Sequence, residues 1–163
     1  MMQQARFSKQ IIPTVIMLVV AIVLVVALFY QAFSTKQGGL GDNAGVYWVV
    51  SGQEIFIEIV KTPSAMYKGL SNRPSLCRDC AMLFVFSESD QRSFVMRDMN
   101  FPLDIIFLNN SKIVKIHRNL PPEGSAPQFQ YDSELPADRV LELNAGMARE
   151  LGLTEGQWLD LPE

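Results

Sequence analysis

The chain has 163 residues, 48% hydrophobic and 19% charged, with a net charge of -3 and a mean hydropathy of +0.13. That composition excludes a disordered chain, a collagen and a disulfide-dense mini-protein, and the acidic balance excludes a large nucleic-acid footprint. One histidine, His117, and two cysteines exclude a multi-histidine metal centre or a conventional zinc finger, so neither a metal nor another cofactor is expected.

The apolar excess is concentrated near the start. Ile11 to Tyr30 runs without a charge or a glycine, and a bilayer core needs roughly 20 such residues in a helix. Pro13 falls in the first turn, where its missing N–H costs little. Arg6 and Lys9 precede the segment with no acid, and only Lys36 closely follows it. The positive-inside bias then predicts a cytoplasmic N-terminus (1–10), a single-pass signal-anchor helix (11–33) in the cytoplasmic membrane and a periplasmic or otherwise extracytoplasmic remainder. A signal peptide cut after Ala32-Phe33-Ser34 is the alternative, and it also exports the remainder. The Gly-rich stretch 34–45 reads as a linker. From residue 41 onward there are 11 basic and 17 acidic residues, a net -6, so a basic anchor offsets an acidic domain at 46–163.

That domain has a β-rich rhythm. Val46–Val50 and Glu54–Val60 read as strands across a turn at Ser51-Gly52-Gln53, with Glu54 and Glu58 opposite Ile55, Ile57 and Ile59 on a face expected to meet solvent. Ala65–Leu70 reads as a short helix. Strands are predicted at Ala81–Phe86, Ser93–Arg97 and Leu103–Leu108. Asn109-Asn110-Ser111 turns the last of these into a strand at Lys112–His117. Asn119 to Pro136 is a Pro-rich loop with an edge strand near Phe129–Tyr131. Arg139–Leu143 is a strand, Gly146–Gly152 a short helix closed by glycine, and Trp158–Leu161 a last strand. The expected fold is mostly β, a compact barrel or sandwich with one or two short helices, preceded by the transmembrane helix.

The order of these blocks resembles a known family. Gly69-Leu70, Arg73, Leu76 and Ala81-Met-Leu-Phe-Val-Phe86 resemble the G-L-M-x-R…L…G-M-L-F-x-F signature of the domain of unknown function 192, also called uncharacterised protein family 0127. Ser93 to Phe107 resembles its F-W-M-K-N-T-x-x-P-L-D-I-I-F block, and Val140-Leu-Glu-Leu-Asn-Ala-Gly146 with Gly152 and Gly156 resembles its V-L-E-x-x-A-G ending. The resemblance spans roughly 54 to 161 and implies a small, mostly β fold, often behind an export signal, with no established activity. Ser71 stands where the signature has Met, Ala81 where it has Gly, Val95 where it has Trp, and Asp98-Met99 where it has Asn-Thr.

Few residues carry chemistry. Cys77-Arg-Asp-Cys80 in an exported domain reads first as a loop disulfide, and next as free thiols or a redox pair. Asp104 lies in the apolar run Phe101–Leu108, where a carboxylate is costly unless it is paired, bonded to backbone N–H groups or facing a cleft. A pocket, if present, is expected around Asp104, Arg97, Met96, Arg73 and Phe94. Met82, Met96 and Met99 suit core packing better than copper. No nucleophile elbow or phosphate loop appears, so no catalytic residue is assigned. The expected function is a membrane-anchored, non-catalytic ligand-binding or accessory module contacting a small molecule, glycan or protein. The alternative is an envelope enzyme, either a hydrolase using Asp104 or a thiol activity at Cys77 and Cys80.

Overall fold

The computed structural model describes residues 44–162 and three isolated helical positions, Met17, Ile22 and Val25. The chain divides into two compact units, Met1–Gly41 and Asp42–Glu163, and the β-rich domain is the second. The rest of the expected transmembrane segment and most of the linker lie outside the described residues. Among the described residues no helix is long and apolar enough to cross a membrane.

Among the described residues, the domain has eight strands and two short helices: β1 (Ala44–Val50), β2 (Gln53–Val60), α1 (Pro63–Lys68), β3 (Cys80–Asp90), β4 (Ser93–Phe94), β5 (Leu103–Asn109), β6 (Lys112–Leu120), β7 (Tyr131–Asp132), β8 (Ala137–Asn144) and α2 (Met147–Glu150). Six of the strands make one sheet in the order β1-β2-β3-β8-β5-β6, and β4 pairs with β7 in a separate ribbon. All pairings are antiparallel except β2 with β3, which are parallel and joined through α1 and a long loop.

Local chemistry sets the turns. Ser51 and Gly52 have φ of 51° and 77°, and Asn110 and Ser111 have 47° and 68°. Two consecutive positive φ values match the right-handed twist of the strands they join, so both hairpins close tightly. The Thr62 side chain accepts the Ala65 N–H at 3.3 Å, Pro63 opens α1, and Gly69 at φ 49° closes it.

Alternation along the strands divides the apolar residues between the two faces of the sheet. Ile55, Ile57, Ala81, Leu83, Ile106, Leu108, Leu141 and Leu143 form one core with Met147, Ala148, Leu151 and Leu159 from α2 and the C-terminal segment. Val60, Met82, Phe84, Leu103, Ile105, Phe107 and Val140 form a second core with Leu70, Met96 and Met99 from the connecting loops. Each fully buried Leu, Ile or Phe contributes about 1.5–3 kcal/mol of transfer free energy.

Four expectations are corrected by this arrangement. The sheet is not a closed barrel: β1 and β6 are its two edges. Glu58 does not lie on a solvent face, because the face it shares with Met82 carries the second core. The expected strand at Trp158–Leu161 reduces to a single bridge from Trp158 to Lys112. The strand at Ser93 also stops at Phe94: beyond it, residues 96–99 bond to Glu123 and Gly124 of the Pro-rich loop instead.

Candidate binding cleft

The face that carries the second core opens into a cleft of about 300 Å³. Its walls come from three chain segments that the sequence separates. Met66, Tyr67, Lys68, Gly69, Leu70 and Ser71 come from α1 and the turn after it; Phe84 and Phe86 come from β3; Ser93, Phe94, Val95, Arg97 and Met99 come from β4 and the loop beyond it. Phe94 meets Phe84 edge to face at 5.0 Å and Phe107 at 5.7 Å, which fixes the aromatic wall.

The remaining lining residue is Glu142 of β8. It is only 6% exposed, and its Oε2 has no hydrogen-bond partner among the described residues. Its cross-strand neighbours are Met82 and Ile105. Burial in these apolar surroundings pushes its carboxyl up to about 8, against a smaller downward pull from the Arg73 guanidinium. Below that value the side chain is a neutral acid, one of the few carboxyl states that donates a hydrogen bond.

Arg73 is committed elsewhere. It makes two hydrogen bonds to Glu58, Nη1 to Oε2 at 2.7 Å and Nη2 to Oε1 at 2.9 Å. That paired geometry raises the Arg73 pKa, chiefly through the Glu58 hydrogen bond. Arg97 sits at the mouth of the cleft. Its guanidinium carbon lies 4.3 Å from the centre of the Tyr67 ring, its Nη2 donates to the Tyr67 carbonyl at 3.0 Å, and its Nε is 4.0 Å from Asp98 Oδ2. The Ser71 hydroxyl donates to the Arg97 carbonyl at 2.8 Å, tying the two sides of the mouth together.

The five residues expected around a pocket are therefore distributed. Phe94 and Arg97 line the cleft. Met96 is 1% exposed and packs in the core beneath it. Arg73 pairs with Glu58 and acts on Glu142 only electrostatically. Asp104 is placed on the other face of the sheet, where Oδ1 accepts the Asn119 N–H at 2.8 Å and Oδ2 accepts those of Gly146 and Ala148 at 2.9 Å each. It serves as a remote cap for α2, whose own N-cap is Gly146 with no side chain to offer. Cys77 and Cys80 are joined as a disulfide, with Cα atoms 5.2 Å apart, which ties the loop before β3 to the first residue of that strand.

Glu142 is the site residue that sequence reasoning missed. Its signal was available: a lone acid in Val140-Leu-Glu-Leu-Asn144, in phase with Val140 on a buried strand. The departures from the family signature also converge here, since Ser71, Val95 and Met99 all line the cleft, whereas Ala81 lies in the opposite core.

The comparisons with other proteins agree with the fold. No curated protein matches the chain significantly. The solved structure of a protein from Sinorhizobium meliloti 1021, described as a candidate transcription regulator, is 30% identical with a TM-score of 0.64, covering 74% of this chain and 95% of that one. A protein of unknown function from Novosphingobium aromaticivorans DSM 12444 is 27% identical with a TM-score of 0.62, covering 73% of this chain and 85% of that one. The family model of DUF192, described as uncharacterised ACR, matches residues 46–161. With two spaced signature blocks on strands β3 and β5 and a third on β8, the chain belongs to the DUF192 family.

Proposed function

We propose that the β domain is a non-catalytic ligand-binding module, held on the outer face of the cytoplasmic membrane by residues 11–33. One observation carries the binding reading: an aromatic-walled cleft ends on a buried carboxyl whose Oε2 has no hydrogen-bond partner among the described residues. Buried polar atoms in folded proteins are nearly always bonded, so an exception at the end of a cleft calls for a partner from outside the fold. A cleft of about 300 Å³ suits a small molecule, at the lower end of ligand-pocket sizes, better than a glycan chain or a protein segment.

The enzymatic alternative draws less support. The oxygens of Asp104 already accept three backbone N–H groups on the opposite face of the sheet, and the two cysteines are bonded to each other. The membrane location rests on the uncharged stretch Ile11–Tyr30 and the basic residues before it.

Native mass spectrometry of the full chain purified from its own host tests the binding reading. A small molecule should co-purify, and it should be absent from a Ser93→Trp variant, in which an exposed position at the rim fills the cleft. Retention of the same molecule by that variant would place binding elsewhere. A C-terminal reporter fusion tests the location: activity confined to the cytoplasm would refute it.

A further inference from the structure

The floor and the mouth of the cleft differ in charge. At the floor, Glu142 is flanked within the sheet by Met82 of β3 and Ile105 of β5, neither of them charged. Arg73, the cation that acts on Glu142, is held by Glu58 through both terminal nitrogens, so that pair adds no net charge. At the mouth the lining carries Lys68 and Arg97, and Asp98 lies 4.0 Å from the Arg97 Nε, so two cations against that acid leave a net positive rim among the described residues. Between floor and mouth the walls are aromatic and aliphatic.

We propose that the cleft takes an organic monocarboxylate with an apolar body, its carboxylate oxygen accepting a hydrogen bond from the Glu142 carboxyl while Lys68 and Arg97 attract its charge. The inference deepens, and rests on, the reading of the cleft as the binding site. Rotation of the Glu142 carboxyl about χ3 is soft, so either oxygen can present the proton. A carboxyl donating to a carboxylate makes a charge-assisted bond, shorter and stronger than one between neutral partners. An ammonium ligand would instead need Glu142 ionised and would have to pass two cations. An alcohol would meet Glu142 and leave the positive rim unused.

The charge types make opposite predictions with pH. The charged groups around Glu142 are Glu58 of β2, Arg73 of the following loop, Lys68 of α1, and Arg97 and Asp98 beyond β4; His117 of β6 lies one strand further, opposite Ile105. With the Glu142 carboxyl near 8, binding that requires its proton weakens about tenfold for each pH unit above that value. Binding of an ammonium strengthens across the same range.

The test uses calorimetric titration of the full chain with 3-phenylpropanoate, 3-phenylpropylammonium and 3-phenylpropanol at about pH 7 and about pH 9.5, where the first stays ionised. Phenylpropanoate should bind tightest and lose roughly tenfold or more in affinity between the two conditions. Glu142→Gln, which still donates a hydrogen bond, should bind phenylpropanoate and lose the pH dependence; Glu142→Leu should lose about tenfold at the lower pH. Tighter binding of the ammonium or the alcohol, or a pH dependence that persists in Glu142→Gln, overturns the carboxylate inference alone, provided Ser93→Trp abolishes the binding. Binding that survives Ser93→Trp, or no binding of any probe, overturns the cleft reading as well.

Discussion

The Oδ2 oxygen of Asp104 accepts the backbone N–H of Ala148 at 2.9 Å, 44 residues further along the chain. The same oxygen takes the N–H of Gly146, so β5 supplies the N-terminal cap of a helix that has none of its own. The carboxylate is fully buried but not idle, because each of its oxygens is satisfied by backbone.

Replacing Asp104 with Ala leaves three N–H groups without their acceptor, and stability should fall by at least about 3 kcal/mol. Asn, which keeps one acceptor oxygen, should cost about half as much. Urea unfolding followed by the fluorescence of Trp48, which is 5% exposed, measures both. A loss below about 1 kcal/mol for Ala would contradict the capping role.

Glu142 makes stability depend on pH in a direction opposite to that of a salt-bridged acid. Its carboxyl moves from the usual 4.5 to about 8 on folding. Between those values the folded state holds a proton that the unfolded state has released, so this group makes stability fall as pH rises, by up to about 1.4 kcal/mol per pH unit. Glu142→Gln should flatten that decline. Urea midpoints at about pH 5 and about pH 8 in the two proteins give the comparison, and parallel slopes would rule out the assignment.

Arg73 joins two carboxylates with different roles. Its paired contact with Glu58 is partly exposed, with side-chain exposures of 33% and 23%, which limits its worth to about 1–2 kcal/mol after screening. Arg73→Leu should cost that much. It should also move the Glu142 carboxyl further up, because the guanidinium is what holds it down. Carbon-detected NMR titration of the Glu142 carboxyl reads the second effect; an unchanged midpoint would separate the two residues.

The disulfide between Cys77 and Cys80 closes a very short loop, with a sequence separation of 3. Chain-entropy reasoning assigns such a loop about 2 kcal/mol. The Cys77→Ser, Cys80→Ser double variant should lose about that much stability and keep ligand affinity, because neither residue lines the cleft. A large loss of affinity, measured by the same titrations, would tie the loop to the site.

Much of the strand order was readable in advance. The two hairpin turns announce themselves through Gly52 and Asn110, residue types that take positive φ readily, and β2, β3 and β5 stand out as β-branched and aromatic runs. The face that Glu58 occupies was not readable. Alternation marks which residues share a side, but whether that side meets water depends on what covers it, and here the cover comes from α1 and loop residues such as Leu70 and Met96. Asp104 shows the same limit: a carboxylate in an apolar run signals a cost, while its partners come from Asn119, Gly146 and Ala148.

The sequence by itself determined the apolar N-terminal stretch, the acidic β-rich remainder, the family and the short list of residues able to do chemistry. Tertiary structure decided which of them meet. Asp104 and Glu142 are both lone acids on buried strands, and no local pattern separates them. The sheet pairs Asp104 with Leu143 and places Glu142 one residue earlier on the same strand, so pleating sends the two carboxyls to opposite faces. One finds backbone N–H groups at a helix start; the other finds an aromatic cleft and keeps an oxygen without a partner among the described residues. That difference is set by long-range packing, and it moves the candidate site from Asp104 to Glu142.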